Sequence, residues 1–213
     1  MFIDSEINNV NGLIKKMSSL VQSNIRQAIG LYLSKGDDED TTINDEIVNQ
    51  YEKLIDEVCI DILIKERPYS KDLREIFAVI KMVDDLERIG DHAEDIKNFS
   101  LKLRGTLEER NPEIDIMLDK ALKMIDDAIE SFVTMDKALA VKTIKADDEI
   151  DAMYDKIIES LTNYPIKSHT AQNFVIYTTL IVKYIERIAD HATNIAEWTV
   201  YIVAGIFKDE IQD

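Results

Sequence analysis

The amino-acid sequence predicts an all-α protein built as two tandem, pseudo-symmetric three-helix bundles. Apolar residues recur at spacings of three and four along six long segments, which is the pattern of helices that bury one face. Only six Gly and three Pro interrupt the 213 residues, too few for a sheet protein rich in turns. The segment DDLERIGDHAEDI at 84–96 returns as KYIERIADHATNI at 183–195, and a repeat of this length indicates two copies of one unit.

Glycine, proline and acidic runs separate the six predicted helices, which span about 3–34, 44–66, 71–104, 113–134, 137–163 and 170–208. Gly36 and the acidic run 37–40 end the first helix, and Pro68 precedes the third, with Ser70 as its predicted N-cap. The segment from Gly105 to Pro112 joins the halves. We therefore predict a first repeat over residues 1–106 and a second over 107–213. Because each helix is apolar on one side only, each triplet is expected to close as its own bundle.

The chain is strongly acidic, with 42 Asp and Glu against 25 Lys and Arg, a formal net charge of −17. Such a surface repels nucleic acid and anionic membranes, and it suits the binding of cations. The single cysteine, Cys59, excludes an intrachain disulfide framework and is typical of a reducing cytosol. The first residues, MFIDSEINNV, lack the basic and apolar regions of a signal peptide, and no run of about 18 apolar residues predicts a membrane span.

Oxygen-bearing side chains recur every four residues in both copies of the repeated segment. The first copy carries Glu87, Asp91 and Asp95, and the second carries Glu186, Asp190 and Asn194 at positions 99 residues later. A step of four residues turns only about 40° round a helix, so each trio is expected to form one ledge.

A second pair of oxygen-bearing residues recurs 102 residues apart, near the start of the middle helix of each half. Asp45 and Asn49 form this pair in the first half, and Asp147 and Asp151 form it in the second. The middle and third helices of an up-down-up bundle are antiparallel neighbours. Counting residues from the intervening turn puts Asp45 and Glu87 at comparable heights, so the pairs are expected to face the ledges.

Carboxylates that face each other repel unless a cation or a proton intervenes. Hard oxygen ligands without thiolate favour Mg²⁺, Ca²⁺ or Mn²⁺, and iron also fits. The alternative is that Glu87 and Asp91 are ordinary surface acids paired with Arg88 or lysines. The recurrence of the trio together with its facing pair favours the metal site.

The other polar residues of the repeated segment predict contacts rather than catalysis. His92 and His191 lie about 100° beyond the adjacent acids, and neither has the spacing of a helical di-iron or zinc site, so a solvent-facing or helix-contact role is expected. Gly90 is expected to allow close helix approach, and Cys59 to lie in the core. The sequence has no phosphate loop, nucleophile elbow or activated nucleophile, which argues against an enzyme, although a bound metal can activate water.

The two segments LERIGDHA and IERIADHATNIAE resemble the paired signatures of the PhoU family, the phosphate-specific transport system accessory proteins. The residues Asp72-Leu73-Arg74, the run 147–151 through Tyr154, and Val200-Tyr201 with Gly205 also resemble that family. The resemblance covers essentially the whole chain in order, including the layout of two repeats.

This resemblance implies two similar three-helix bundles in a cytoplasmic bacterial regulator of phosphate uptake, often a homodimer. It implies an adaptor between the phosphate ABC transporter and a membrane sensor histidine kinase. Such an adaptor keeps the phosphate-starvation response off when phosphate is plentiful, and it associates with the membrane only through its partners. It also implies metal ions, for which Mg, Mn, Fe and Zn are candidates. The candidate ligands by resemblance are the oxygen-bearing residues Glu87, Asp91, Asp95, Glu186, Asp190, Asn194, Asp45, Asn49, Asp147 and Asp151.

The two copies depart from each other at two candidate ligands. Asp95 corresponds to Asn194, and Asn49 corresponds to Asp151, so the two sites are expected to differ in the number of ions or in affinity. The sequence thus favours a non-enzymatic, metal-binding adaptor. Two alternatives stay open, a metal-dependent phosphohydrolase and a helical scaffold without metal.

Overall fold

Six α-helices make up the regular structure of the described residues. The computed structural model describes residues 2–34, 43–66, 68–104, 106 and 111–205. The helices are α1 (Phe2–Leu33), α2 (Asp45–Glu66), α3 (Ser70–Leu101), α4 (Glu113–Thr134), α5 (Lys137–Thr162) and α6 (His169–Ala204). Within these residues no helix is both long enough and apolar enough to span a membrane.

Local chemistry explains where the second-half helices begin and end. The side chain of Asp136 accepts hydrogen bonds from the amides of Ala138 and Leu139 and caps α5, and Ser168 accepts from Ala171 and caps α6. Each cap satisfies amide groups that the first turn of a helix leaves without partners. Met135 ends α4 in the left-handed conformation with φ 53°, and Gly205 ends α6 with φ 74°.

The predicted helices agree with the observed ones to within a few residues, with three differences. The third helix ends at Leu101 rather than near 104, and its capping position is Tyr69 rather than Ser70, because Tyr69 has the extended backbone that precedes a helix and Ser70 is already helical. The last helix ends at Ala204 rather than near 208, because Gly205 adopts the left-handed conformation that closes the helix. The acidic loop 37–40 and Gly105 in the join lie outside the described residues.

Each half closes as a three-helix bundle, as predicted, but the bundles share one core. The helices α1, α2 and α3 contact one another, and so do α4, α5 and α6. In addition α3 packs along α6, and α1 contacts α4. The ring pairs Phe77–Trp198 and Phe99–Tyr177 show that α3 and α6 run antiparallel. The buried apolar side chains form a single cluster that spans both halves, so the two bundles are packed against each other through α3 and α6.

Candidate metal centre

The pair on α2 faces α3 across a very close helix contact. A methyl group at Gly90 would lie 3.2 Å from Val48 Cγ1 and 3.6 Å from Asp45 Oδ1. The missing side chain of Gly90 therefore lets α2 bring Asp45 beside the ledge on α3, as the residue count predicted. Asn49 Nδ2 donates a hydrogen bond to Asp45 Oδ2 at 3.2 Å, which ties the pair together along α2.

The ledge on α3 is partly open to solvent and is only partly neutralised. The side chains of Glu87 and Asp91 are 20% and 39% exposed. Arg88 lies 3.7 Å from Glu87 and 3.5 Å from Asp91, so this arginine pairs with acids of its own helix. Because the Arg88 side chain is itself 62% exposed, water weakens these ion pairs, and the arginine neutralises the two acids only in part.

Burial and mutual repulsion disfavour the charged form of the acids in this site. Burial is the main cause that raises the pKa of Glu87, and the charge of Asp91 adds to it. Burial likewise raises the pKa of Asp91, with the charge of Asp45 next. The pKa of Asp45 is raised by burial and then by Glu94. A cation between α2 and α3 would remove this penalty.

Two buried oxygen atoms of the pair support such a cation. Asp45 Oδ1 and Asn49 Oδ1 are both buried and accept no hydrogen bond from any described residue. A buried acceptor left without a partner is costly, and carboxylate and amide oxygens are donors that hard divalent cations accept. In the described residues, no three carboxylate, imidazole or thiol groups converge on one point.

Three further acids extend this site and were missed by the sequence analysis. Burial raises the pKa of Glu52 and Asp56 on α2, with the negative charge of Asp84 on α3 adding to both. Asp56 Oδ1 is also buried and lacks a hydrogen-bond partner among the described residues. The signal was available, because steps of 7 and 11 residues from Asp45 stay on one side of a helix. The site is thus a groove between α2 and α3 rather than a point.

The second half repeats the arrangement with a built-in positive charge. Lys183 Nζ lies 2.6 Å from both carboxylate oxygens of Glu186, whose side chain is 13% exposed. The same ammonium lies 5.3 Å from the centre of the Tyr154 ring on α5. Lys183 occupies the position that Asp84 occupies in the first copy, 99 residues earlier. A lysine therefore neutralises the second ledge where the first ledge has one more acid.

The facing pair of the second half is less buried than its counterpart. Asp151 is exposed and Asp147 is half-buried. Burial is the main cause that raises the pKa of Asp190, followed by the charge of Glu186, while Lys183 partly opposes the shift. The charge of Asp151 also raises the pKa of Asp190, so Asp151 lies near the second ledge.

The last residue of each predicted trio lies at the interface between the two bundles. Asn194 Nδ2 donates to Asp85 Oδ1 at 3.2 Å, and His191 Nδ1 lies 2.8 Å from the same oxygen. On the other side, burial and then the charge and hydrogen bond of Asp95 raise the pKa of the Tyr184 hydroxyl. Asp95 and Asn194 thus bond across the bundles, and metal ligation by either stays a prediction.

These two contacts are equivalent under the internal symmetry of the chain. Adding 99 to Asp85, His92 and Asp95 gives Tyr184, His191 and Asn194. His92 is 7% exposed, and its ring centre lies 5.0 Å from that of Tyr184 and 5.4 Å from that of His191. The histidines therefore make helix contacts, and for His92 the solvent-facing alternative is wrong.

The remaining expectations about packing residues are confirmed. Cys59 is buried, and burial raises the pKa of its thiol to about 12, as expected of a core thiol rather than a nucleophile. Trp198 packs against Phe77 and Tyr201. Phe99 stacks on Tyr177 and Tyr184, so Tyr177, Tyr184 and Trp198 of α6 contribute to the interface between the bundles.

Comparison with known proteins finds one family over both halves. A family model described as PhoU domain matches residues 14–99 and again residues 114–199. The two matches flank the predicted boundary between 106 and 107, whose position stays a prediction.

Relatives and solved structures cover nearly the whole chain. A "Phosphate-specific transport system accessory protein PhoU homolog" of Clostridium acetobutylicum is 30% identical over 95% of this chain and 94% of its own length. The Escherichia coli K12 protein with the name PhoU is 27% identical over 95% of this chain and 85% of its own length. The crystal structure of PhoU from Pseudomonas aeruginosa superposes with a TM-score of 0.86 at 29% identity, covering 95% of this chain and 99% of that one.

A second crystal structure supports the fold alone. The phosphate transport system regulatory protein PhoU from Streptococcus pneumoniae superposes with a TM-score of 0.87 at 24% identity. The match covers 96% of this chain and 98% of that one.

Proposed function

Because this chain belongs to the PhoU family, we propose that it is a non-enzymatic regulator of phosphate uptake that works through metal-loaded acidic faces. In this proposal it acts in the bacterial cytoplasm as an adaptor between the phosphate ABC transporter and a membrane sensor histidine kinase. Relatives are named accessory proteins of the phosphate-specific transport system, which supports a regulatory role.

One observation supports the metal more than any other. Asp45 Oδ1 and Asn49 Oδ1 are buried without a hydrogen-bond donor among the described residues, opposite Glu87 and Asp91, whose pKa values are raised by burial. These four residues would hold the ion, with Asp95 beside Asp91. A divalent cation would neutralise the acids that Arg88 only partly screens and would tie α2 to α3.

The second half would hold an ion with Asp147, Asp151, Glu186 and Asp190. There Lys183 already provides one positive charge, so the two sites are proposed to load unequally. Mg, Mn, Fe and Zn remain the candidates. Because a bound metal ion would remove repulsion between neighbouring helices, it would determine how firmly α2 and α5 are held. Metal binding would thereby change the surface that the protein presents to its partners.

Elemental analysis tests the metal directly. The protein is stripped with a chelator, dialysed against Mg²⁺, Mn²⁺, Fe²⁺ and Zn²⁺ separately, and analysed by plasma mass spectrometry. We expect Glu87→Ala/Asp91→Ala to lose metal relative to the unaltered chain. The matched control is Glu57→Ala/Asp61→Ala, an exposed acid pair of the same spacing on α2, which should keep it. A metal-free unaltered protein under all four conditions would refute the ligand assignment.

Binding to the two partners tests the adaptor. The cytoplasmic part of the sensor kinase and the nucleotide-binding subunit of the transporter are immobilised, and the stripped and reloaded protein is passed over each. We expect stripping to weaken binding to at least one partner by tenfold or more, and metal to restore it. Equal affinity in both states would sink the metal-dependent adaptor. Turnover of a phosphate monoester that disappears in Glu87→Ala/Asp91→Ala would favour the phosphohydrolase instead.

A further inference from the structure

We propose that a cleft between α4 and α5 is a binding site for a compact, multiply charged phosphate compound. The cleft has a volume of about 350 Å³, which is within the range of small-molecule sites, about 300–1,000 Å³. Four lysines line it, Lys120 and Lys123 from α4 and Lys142 and Lys145 from α5. This inference is independent of the proposed metal site and of the regulatory role.

The charges in the cleft do not cancel. Lys120 Nζ lies 2.5 Å from Glu149, and Lys123 lies 2.7 Å from both oxygens of Asp127. Lys142 and Lys145 are exposed and have no carboxylate within 4.0 Å among the described residues. The cleft therefore carries two uncompensated positive charges in a chain whose net charge is −17.

This chemistry selects phosphate oxygens. A lysine ammonium is a compact point charge with three donors, and it is a common ligand of phosphate groups. Two unpaired ammonium groups beside two paired ones repel one another until an anion enters. A single carboxylate or chloride would neutralise only one charge, whereas two linked phosphoryl groups would satisfy both lysines.

The shape of the site and its surroundings favour a small ligand over a polymer. Met124 and Ala146 complete the lining, and together with the aliphatic stems of the lysines they provide an apolar floor. Outside the cleft the acidic surface repels extended polyanions such as nucleic acid or an anionic membrane. A compact ligand meets mainly the local positive charge.

The four lysines of the cleft are not repeated at the equivalent positions of the first half. With the family matches starting at 14 and 114, the α4 lysines correspond to Leu20 and Ser23 in α1. Lys142 and Lys145 correspond to Asp40 and Ile43, 102 residues earlier. The first half therefore lacks all four lysines. On α5 the cleft is also distinct from the acidic face, because Asp151 lies about 120° round the helix from Lys145.

Isothermal titration calorimetry of the full chain, stripped of metal and kept in a chelator, tests the site with inorganic phosphate, pyrophosphate and ATP. We expect pyrophosphate or ATP to bind at least tenfold more tightly than phosphate, and raised salt to weaken the binding. Binding of ATP without binding of pyrophosphate would identify a nucleotide as the ligand. Equal affinity for ATP and pyrophosphate would identify the phosphate chain alone as the recognised group. Both outcomes support the site.

Variants decide whether the heat comes from this cleft. Lys142→Ala/Lys145→Ala should weaken binding at least tenfold, whereas Lys15→Ala/Lys16→Ala, an exposed pair on α1 with the same change in net charge, should leave it within twofold. Circular dichroism confirms that both variants remain folded. No binding of any of the three probes, or an equal loss of binding in both variants, would overturn the proposal.

Discussion

Gly90 shows how one absent side chain can place a functional group. Its α-carbon faces Val48 and Asp45 so closely that a methyl group would lie 3.2 Å from Val48 Cγ1, tighter than ordinary van der Waals contact. The second copy has Ala189 at the equivalent position. In the first half, this close contact of α2 with α3 lies beside two buried oxygens, Asp45 Oδ1 and Asn49 Oδ1, that accept no hydrogen bond from the described residues.

Gly90→Ala should separate the effects of packing and helix propensity. Alanine favours a helix over glycine by about 1 kcal/mol, so Gly12→Ala and Gly30→Ala, which have open space around them, should each stabilise the chain by roughly 0.5–1 kcal/mol. Gly90→Ala should gain less than either control, because Val48 and Asp45 must move, and it should weaken metal binding. Urea denaturation measures this, and a gain equal to the controls would contradict the close contact.

His92 is a second residue whose surroundings determine its chemistry. Burial, followed by the charges of His191 and Arg187, lowers the pKa of its imidazole to about 4. Its Nδ1 is buried and accepts no hydrogen bond from the described residues. The folded protein thus keeps this imidazole neutral at the interface with α6.

Lowering the pH should therefore destabilise the fold through His92. The pKa of His92 is about 6.5 in the unfolded chain and about 4 in the folded protein. Its contribution to the free energy of unfolding is therefore complete above pH 6.5 and is lost as the pH falls toward 4, because the unfolded chain binds the proton more readily. The loss is at most roughly 3 kcal/mol. His92→Gln removes this dependence, so the stability difference between the two proteins should shrink on acidification. A constant difference between pH 7 and 4.5 would contradict the neutral, buried imidazole.

At the scale of elements, the α3 and α6 ledges are equivalent helix surfaces that differ in the charge of one residue beside the acids. On α3, Lys81 pairs with Asp84 at 3.1 Å, and the exposed Arg88 partly neutralises Glu87 and Asp91. On α6 the residue equivalent to Asp84 is Lys183, which contacts Glu186 directly. An internal ammonium and an external cation are alternative partners for the same carboxylates.

Removing that ammonium should raise metal affinity at the second site. In a Glu87→Ala/Asp91→Ala background, only the second site remains, and Lys183→Asp should increase its affinity for Mn²⁺ at least tenfold, because Glu186 then lacks its partner. Lys137→Ala, an exposed lysine on the same bundle, serves as the control and should change it little. Mn²⁺ binding followed by electron paramagnetic resonance measures both. An unchanged affinity would mean that Lys183 does not compete for the site.

For the whole molecule, the shared core makes the two repeats one cooperative unit. The α3–α6 contact joins their apolar clusters, and the equivalent contacts of Asp85 with His191 and of Tyr184 with Asp95 lie on either side of the pseudo-twofold axis. A repeat protein in which each unit carries its own core would unfold in steps.

Calorimetry should accordingly show one unfolding transition, with calorimetric and van't Hoff enthalpies in agreement. Tyr184→Ala removes ring contacts with His92 and Phe99 and should lower the midpoint of that single transition. Val203→Ala, an exposed apolar residue of α6, should shift it much less. Two resolved transitions in the unaltered chain would show that the halves fold independently.

Local patterns were sufficient to predict most of the fold. Six helices follow from apolar spacing and from Gly and Pro positions because a helix depends on residues three and four apart. Repetition of Glu87 and Asp91 as Glu186 and Asp190 exposed the candidate ledges for the same reason. Glu52 and Asp56 were missed although their spacing places them on the same side of α2 as Asp45, and the packing of α2 on α3 shows that they lie near Asp84.

The sequence by itself determined the helices, the internal repeat, the excess of negative charge and the oxygen-rich pairs, all of which are properties of neighbours along the chain. Tertiary structure alone decided that the bundles share a core, that Asp95 and Asn194 bond across it, and that Lys120 and Lys142 meet in one cleft. Those outcomes depend on which helix faces meet, and side chains far apart in sequence influence each other only after that choice is made.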